Sequence, residues 1–142
     1  MFANAKAFNQ DLSTWDTSNV LSMNAMFRYA TAFDQNLSIW NTSKVTNMMS
    51  MFEGAESFNG NISSWDTSNV IIMNSMFAGA KSFNSDISSW DTSNVREMDC
   101  MFKNAKSFKQ DISSWRVKRV YYTRDMFNYA ISLPVCKRPR VR

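Results

Sequence analysis

The serines that could act as nucleophiles in this chain recur every 25 residues: Ser13, Ser38, Ser63, Ser88 and Ser113. A nucleophile needs its own activated environment, whereas a ladder of serines offers the same environment at every step. The chain contains no histidine, so the commonest general base and metal ligand is missing. The three glycines, Gly54, Gly60 and Gly79, are too few for a phosphate-binding loop. The sequence therefore predicts a protein that is not an enzyme and has no cofactor.

A second recurring column is polar: Asp11, Asn36, Asn61, Asp86 and Asp111. Stacked carboxylates bind calcium in some repeat proteins. Only three of these five residues are acids, and the dense glycine pattern of calcium-binding repeats is absent. We therefore prefer an interpretation in which the column caps turns. The same interpretation applies to a column that would precede the helices: Asp16, Asn41, Asp66 and Asp91.

The two cysteines, Cys100 and Cys136, leave disulfide formation open. Cys100 stands in a column of small residues, so we prefer to interpret it as a tolerated small side chain. A bridge to Cys136 would require an oxidising compartment. Glycosylation sequons begin at Asn36, Asn41 and Asn61, and they matter only if the chain is secreted by a eukaryote.

All of these columns follow one period, which the pair Met-Phe marks at Met1, Met26, Met51, Met76, Met101 and Met126. A fixed period of this length is typical of repeat proteins, in which each unit packs on its neighbours. We therefore predict that the 25-residue blocks stack and that equivalent side chains lie over one another. The tryptophans would then form one core ladder: Trp15, Trp40, Trp65, Trp90 and Trp115.

Within a block, one apolar stripe has helical spacing: Val20, Met23, Phe27 and Ala30. This spacing predicts a helix near residues 18–30, capped by Ser18 or Thr17. The short segment Leu12–Trp15 between turn-forming residues predicts a strand or strand-like bend. Parallel strands are spaced more closely than packed helices, so the array would curve. The predicted fold is an α/β solenoid, a leucine-rich-repeat-like right-handed coil with short parallel strands on the inner edge and helices outside.

The string Phe-Asn-x-Asp-Ile-Ser-x-Trp-Asp-Thr-Ser-Asn-Val-x-x-Met-x-x-Met-Phe, which spans Phe83 to Phe102, resembles the repeat of the BspA-type leucine-rich-repeat surface proteins. The similarity extends from the first block to Ala130. It implies a leucine-rich-repeat-like solenoid on a secreted or cell-surface protein that binds host or matrix proteins, and it brings no catalytic residue. The chain itself opens on a repeat Met-Phe without a secretory leader, and it has no apolar run long enough for a transmembrane helix.

Charge is distributed unevenly along the chain. The residues before Arg96 include four Lys/Arg and eight Asp/Glu. The residues from Arg96 onward include twelve Lys/Arg and four Asp/Glu. We therefore divide the chain into a repeat array, residues 1–133 with five to six coils, and a basic C-terminal tail, residues 134–142. The basic end has two interpretations: a solvated cap that ends the stacking, which we prefer, and a docking patch for an anionic partner.

Specificity is expected where the copies differ and where tyrosine stands beside arginine, a composition that is common at binding hot spots. The candidate partner-binding residues are Arg28, Tyr29, Arg116, Lys118, Arg119, Tyr121, Tyr122, Arg124, Tyr129, Lys137, Arg138, Arg140 and Arg142. The first hypothesis is a non-catalytic scaffold for protein–protein interaction or adhesion, or a fragment of a larger surface protein or assembly. The alternative is a binder of anionic polymer, such as nucleic acid, acidic glycan or a membrane surface, through the basic end. No small-molecule substrate is expected.

Overall fold

The computed structural model describes residues 1–141, in which consecutive 25-residue blocks lie on one another in register. Parallel β-bridges join equivalent residues of successive blocks, in the order Ser22, Asn47, Ile72, Glu97 and Tyr122. These are isolated bridges that do not extend into strands, and within the described residues the only helix is a short 3₁₀ helix, Val135–Lys137. The tandem repeat in the sequence is thus a repeat of the structure as well.

Each block is a succession of tight turns. Between Leu12 and Phe33, the backbone N–H of residue i+3 donates to the carbonyl oxygen of residue i and closes a series of tight turns. These turns begin at Leu12, Thr17, Met23, Ala25, Phe27 and Ala30. Two columns of residues in these turns have a positive φ: Ala25, Ser50, Ser75, Cys100 and Asp125 in one, and Asn4, Tyr29, Gly54, Gly79, Asn104 and Tyr129 in the other. Most of these residues are small or are Asn, Asp or Gly, the types that adopt left-handed backbone most readily.

The predicted α/β solenoid is therefore wrong. The helix expected near residues 18–30 does not form, because positive φ at Ala25 and Tyr29 breaks any helical run. The strand expected at Leu12–Trp15 is a turn in which Trp15 N–H donates to Leu12 O at 3.1 Å. The β-bridges instead lie at the Ser22 column, inside the segment predicted as helix. Because residues 1–141 contain neither regular strands nor outer helices, the predicted leucine-rich-repeat-like curvature has no structural basis.

Backbone hydrogen bonds between blocks take the place of regular secondary structure. In each block, four N–H groups on alternate residues donate to carbonyl oxygens of the next block. The first full set runs from Met23, Ala25, Phe27 and Tyr29 to Asn47, Met49, Met51 and Glu53, with N···O distances of 2.7–2.9 Å. The set recurs at the next three interfaces, ending with Met98, Cys100, Phe102 and Asn104 as donors. Each block consequently depends on its neighbour to satisfy its polar backbone.

Stacked aromatic ladders run through the core beside columns of Met, Ala, Val, Leu and Ile, as predicted, except that Trp15 at the first block is exposed. Phe27 lies 3.9 Å from Phe33 in its own block and 5.6 Å from Phe52 in the next, measured between ring centroids. Trp65 and Trp90 stack at 6.2 Å. Each buried indole N–H also reaches a carbonyl oxygen, as from Trp65 Nε1 to Leu37 O at 2.9 Å. Stacking of equivalent residues therefore satisfies the packing and the hydrogen bonding of the tryptophans together.

The two polar columns cap turns, and this prediction is confirmed. Each residue of the Asp11 column accepts a hydrogen bond from the backbone N–H of the serine two positions later. The Asp16 column makes the same turn-capping hydrogen bonds, although the helices that it was expected to precede do not form. The predicted cap residue Thr17 has another role, because its hydroxyl is buried and donates to Asn41 O in the next block at 3.1 Å.

These turn-capping carboxylates predict that stability falls in acid. Hydrogen bonds from the following serine lower the pKa of four of them from the ordinary value of 3.8: Asp16, Asp86, Asp91 and Asp111. Because the folded-state pKa is depressed, the stabilisation is complete above pH 3.8 and is lost as pH falls through the lower folded-state value. The midpoint of unfolding, followed by tryptophan fluorescence and measured at a series of pH values, should fall as the pH is lowered below 3.8.

Asparagine provides the control, because Asn36 and Asn61 make the same capping hydrogen bond without titrating. The variant Asp86→Asn should lose stability less steeply in acid than the parent. If stability declines equally steeply with falling pH in both proteins, the capping carboxylate of Asp86 is not a source of the acid sensitivity.

Candidate binding cleft at the C-terminal end

The basic tail folds back over the last block. Lys137 O accepts a hydrogen bond from Ile112 N–H at 3.0 Å, and the Lys137 ammonium donates to Lys109 O at 3.3 Å. Pro139 is buried against the array. The tail is thereby fixed at several points, although its sequence departs from the repeat.

Between the tail and the last block lies a cleft of about 1460 Å³, which we call the basic cleft. Its cationic lining residues are Arg116, Lys118, Arg119, Arg138 and Arg140. No aspartate or glutamate lines it, and Ser93, Asn94 and Ser113 add hydroxyl and amide groups. Five of the thirteen predicted partner-binding residues thus share one concave surface.

The cations of the basic cleft form no ion pair with an acidic residue within the described residues. Along the earlier blocks, cations pair with acids of a neighbouring block: Arg28 with Glu53, Lys81 with Glu56 and Lys103 with Asp125. None of the ion pairs found in residues 1–141 includes a residue of the cleft. No carboxylate lines this surface, although Asp91 lies near enough to Arg116 that, beside the hydrogen bonds from Ser93, the positive charge of Arg116 contributes to the lowered pKa of Asp91.

Two arginines of the cleft are held in place. The Arg119 guanidinium donates to Asn94 Oδ1 at 3.0 Å. The Arg138 guanidinium donates through Nη2 to Leu133 O at 2.9 Å and lies 5.0 Å above the centre of the Phe127 ring, in cation–π geometry. Arg138 Nε is buried and has no hydrogen-bond partner in the part of the chain that the structure describes. A buried N–H of a charged group without an acceptor is unfavourable by about 1–3 kcal/mol or more.

The other wall of the basic cleft is apolar and was not predicted. It is formed by Trp115, Val117, Phe127, Val135, Pro139 and Val141. Trp115, Val117 and Phe127 belong to repeat columns, but they line the cleft only because the tail crosses the end of the stack. The proline and valines among the tail arginines were the only sequence signal of this wall.

The predicted residues Arg28 and Tyr29 lie elsewhere, on an earlier block. Arg28 Nε contacts Glu53 Oε2 at 2.9 Å, the Tyr29 hydroxyl donates to Glu53 Oε1 at 2.9 Å, and the Arg28 guanidinium lies over the Tyr29 ring. The Tyr29 ring covers Gly54, where a Cβ would be 2.2 Å from Tyr29 Cδ1. These two side chains are therefore engaged within the array itself.

The Glu53 carboxylate holds this cluster together. Partial burial acts to raise its pKa, but hydrogen bonds from Ser50, Arg28 and Tyr29 outweigh burial and keep that pKa below its ordinary value. The carboxylate consequently stays charged near neutral pH.

Four other candidates lie outside the lining of the basic cleft. Tyr121, Tyr122 and Tyr129 are 58–74% exposed on the last block, and Arg124 is exposed between them in sequence. Backbone N–H groups of Tyr121 and Tyr122 both donate to Arg96 O.

Lys137 belongs to the tail but does not line the cleft, and Arg142 lies outside the described residues. Cys100 and Cys136 are both free, and only the exposed Cys136 lines the cleft.

Comparison with known proteins gives one family. The model of the family described as "Mycoplasma protein of unknown function, DUF285" matches residues 1–77 and residues 36–135. No curated protein matches the chain, and no solved structure does. Within residues 1–141, the structure has no helix with the length and apolar character that crossing a membrane requires.

Proposed function

Because the chain belongs to the DUF285 repeat family, whose function is unknown, we propose its role from its surface: it is a non-catalytic scaffold that binds a protein partner by an acidic segment. The observation that carries this proposal is the basic cleft, in which five cations have no carboxylate among the lining residues. The fixed arginines and the rigid stacked core support it, because binding then orders few groups on this side of the interface.

The apolar wall favours a protein segment. Val135 is exposed and Phe127 is partly exposed beside the arginines, so aliphatic or aromatic residues of a partner can be buried there while its carboxylates meet the cations. The repeat string resembles that of the BspA-type surface proteins. This resemblance implies binding to host or matrix proteins and so supports the same role. Adhesion at a cell surface is the setting in which we propose that this binding takes place.

Binding should be lost when the charge of the cleft is reversed. The double variant Arg116→Glu/Arg119→Glu should bind an Asp- and Glu-rich peptide that contains aromatic residues at least about tenfold more weakly than the parent, because each charge-assisted contact is worth about 1.5–3 kcal/mol. Arg124→Glu, an exposed change outside the cleft, is the matched control and should bind almost as the parent does. Fluorescence anisotropy of the labelled peptide measures both.

The same titration separates a protein partner from an anionic polymer. Affinity for RNA or heparin through five cations should fall on the order of 10²–10³-fold over a fourfold rise in salt. Affinity for the aromatic acidic peptide should fall less, because apolar contacts are not screened. Tight, strongly salt-dependent polymer binding without peptide binding would favour the alternative, and no binding of either probe would refute the cleft as a binding site.

A further inference from the structure

The way in which Arg119 and Arg138 are held says more about the group that the basic cleft receives. The Arg119 contact to Asn94 and the Arg138 contacts to Leu133 and Phe127 fix the two guanidinium groups without neutralising either of them. Each of these partners is a neutral group, so none of them supplies a negative charge. A planar guanidinium group that is held in one orientation can donate two parallel hydrogen bonds to an oxyanion.

Arg138 Nε adds an unfilled position. It is buried and lacks an acceptor within residues 1–141, while Nη2 of the same guanidinium is already bound to Leu133 O. A bound oxygen atom at Nε would remove the penalty of this unpaired N–H. Because Nε is itself buried, a ligand oxygen reaches it only if the Arg138 side chain or its neighbours shift.

The charge of the cleft favours a ligand of high charge density. A carboxylate brings one negative charge and two oxygens, whereas a phosphoryl group brings about two charges and three oxygens at neutral pH. Five cations line the cleft, and Ser93, Asn94 and Ser113 stand beside them as further polar groups. A phosphoryl group uses more of these groups than any single carboxylate does.

We infer that the acidic segment which binds in the basic cleft carries a phosphoryl group, recognised by Arg119 and Arg138. This inference rests on the proposed function and specifies its ligand chemistry. The apolar wall then holds the neighbouring residues of the phosphorylated segment. Binding is consequently controlled by phosphorylation of the partner.

The test compares two short peptides of the same acidic sequence, one with serine and one with phosphoserine at the central position. The phosphorylated peptide should bind the full chain at least about tenfold more tightly at moderate salt. Arg138→Lys and Arg119→Lys keep the charge but lose the planar fork, so the preference should fall below about threefold in each. Arg124→Lys outside the cleft should keep the full preference, and thermal unfolding checks that each variant folds.

Cysteine labelling locates the bound peptide. Cys136 is exposed and lines the cleft, whereas Cys100 is half-buried outside it, and both are free. The phosphorylated peptide should slow the reaction of Cys136 with a maleimide and leave the rate at Cys100 unchanged. Equal slowing at both cysteines, or none at either, would overturn the assignment to the cleft.

The outcomes separate this inference from the proposal on which it rests. If both peptides bind equally and Arg116→Glu/Arg119→Glu weakens both, the scaffold proposal stands and the phosphoryl inference is refuted. If neither peptide binds, both are refuted. A preference that persists in Arg119→Lys and Arg138→Lys, or tighter binding of a peptide sulfated at the same position, also overturns the phosphoryl inference.

Discussion

Replacing Phe77 with alanine should lower the free energy of unfolding by about 3–5 kcal/mol, as large-to-small changes at fully buried aromatic residues do. The Phe77 ring is fully buried and stacks on three phenylalanines: Phe52 at 5.8 Å, Phe83 at 3.9 Å and Phe102 at 5.7 Å between ring centroids. Its removal leaves a cavity in the middle of the ladder, in contact with the blocks on both sides. Because neighbouring blocks stabilise one another, the loss should affect the array as a whole.

Urea denaturation followed by tryptophan fluorescence measures this effect. Ile39→Ala is the control, because Ile39 is 64% exposed and its truncation should change stability by less than about 0.5 kcal/mol. If the two variants unfold at the same urea concentration, the aromatic ladder is not the main source of stability.

Gly60→Ala should be nearly as damaging, for a different reason. A Cβ at position 60 would lie 2.1 Å from the backbone oxygen of Gln35 and 2.9 Å from Phe58 Cε2, so the backbones of two blocks would have to move apart. Overpacking of a buried position in this way costs about 1–3 kcal/mol, and the loss is greater where backbone must shift. The expected result is a clearly lower thermal midpoint.

The next block provides a control in the same column. Ser85 already has a Cβ, and its hydroxyl donates to Gly60 O at 2.8 Å. Ser85→Ala therefore removes one hydrogen bond, worth about 0.5–1.5 kcal/mol, without adding volume. Equal destabilisation by Gly60→Ala and Ser85→Ala would show that the blocks are free to separate at this point.

The sequence predicted the period, the stacking of equivalent residues and the core ladders, because these depend only on side-chain identity repeated every 25 positions. It failed on local conformation. Val20, Met23 and Phe27 point into the core from a chain of tight turns as well as they would from one face of a helix, so apolar spacing alone could not distinguish the two. The residue type of Tyr29 gives no indication of its positive φ; the indication lay in the glycines and asparagines at the equivalent positions, Gly54, Gly79, Asn4 and Asn104.

The binding surface was predicted only in part. The concentration of arginine and lysine near the C-terminal end was evident from the sequence, and five of these residues do line one cleft. The apolar wall was not evident, because it depends on the tail folding back on Phe127 and Ile112 outside the repeat register. Arg28 and Tyr29 were chosen for composition alone, and their partner Glu53 stands 25 and 24 residues further on, in the next block.

The same pattern of backbone donors and acceptors at the four complete interfaces makes one internal block exchangeable for another. Loss or duplication of a 25-residue unit within the array rejoins equivalent positions, so the N–H groups of one block still meet the carbonyls of the next. Loss of any other length would bring phenylalanine over a polar neighbour and disrupt the ladders. The array can therefore be lengthened or shortened only in whole units of 25 residues without loss of the register between blocks.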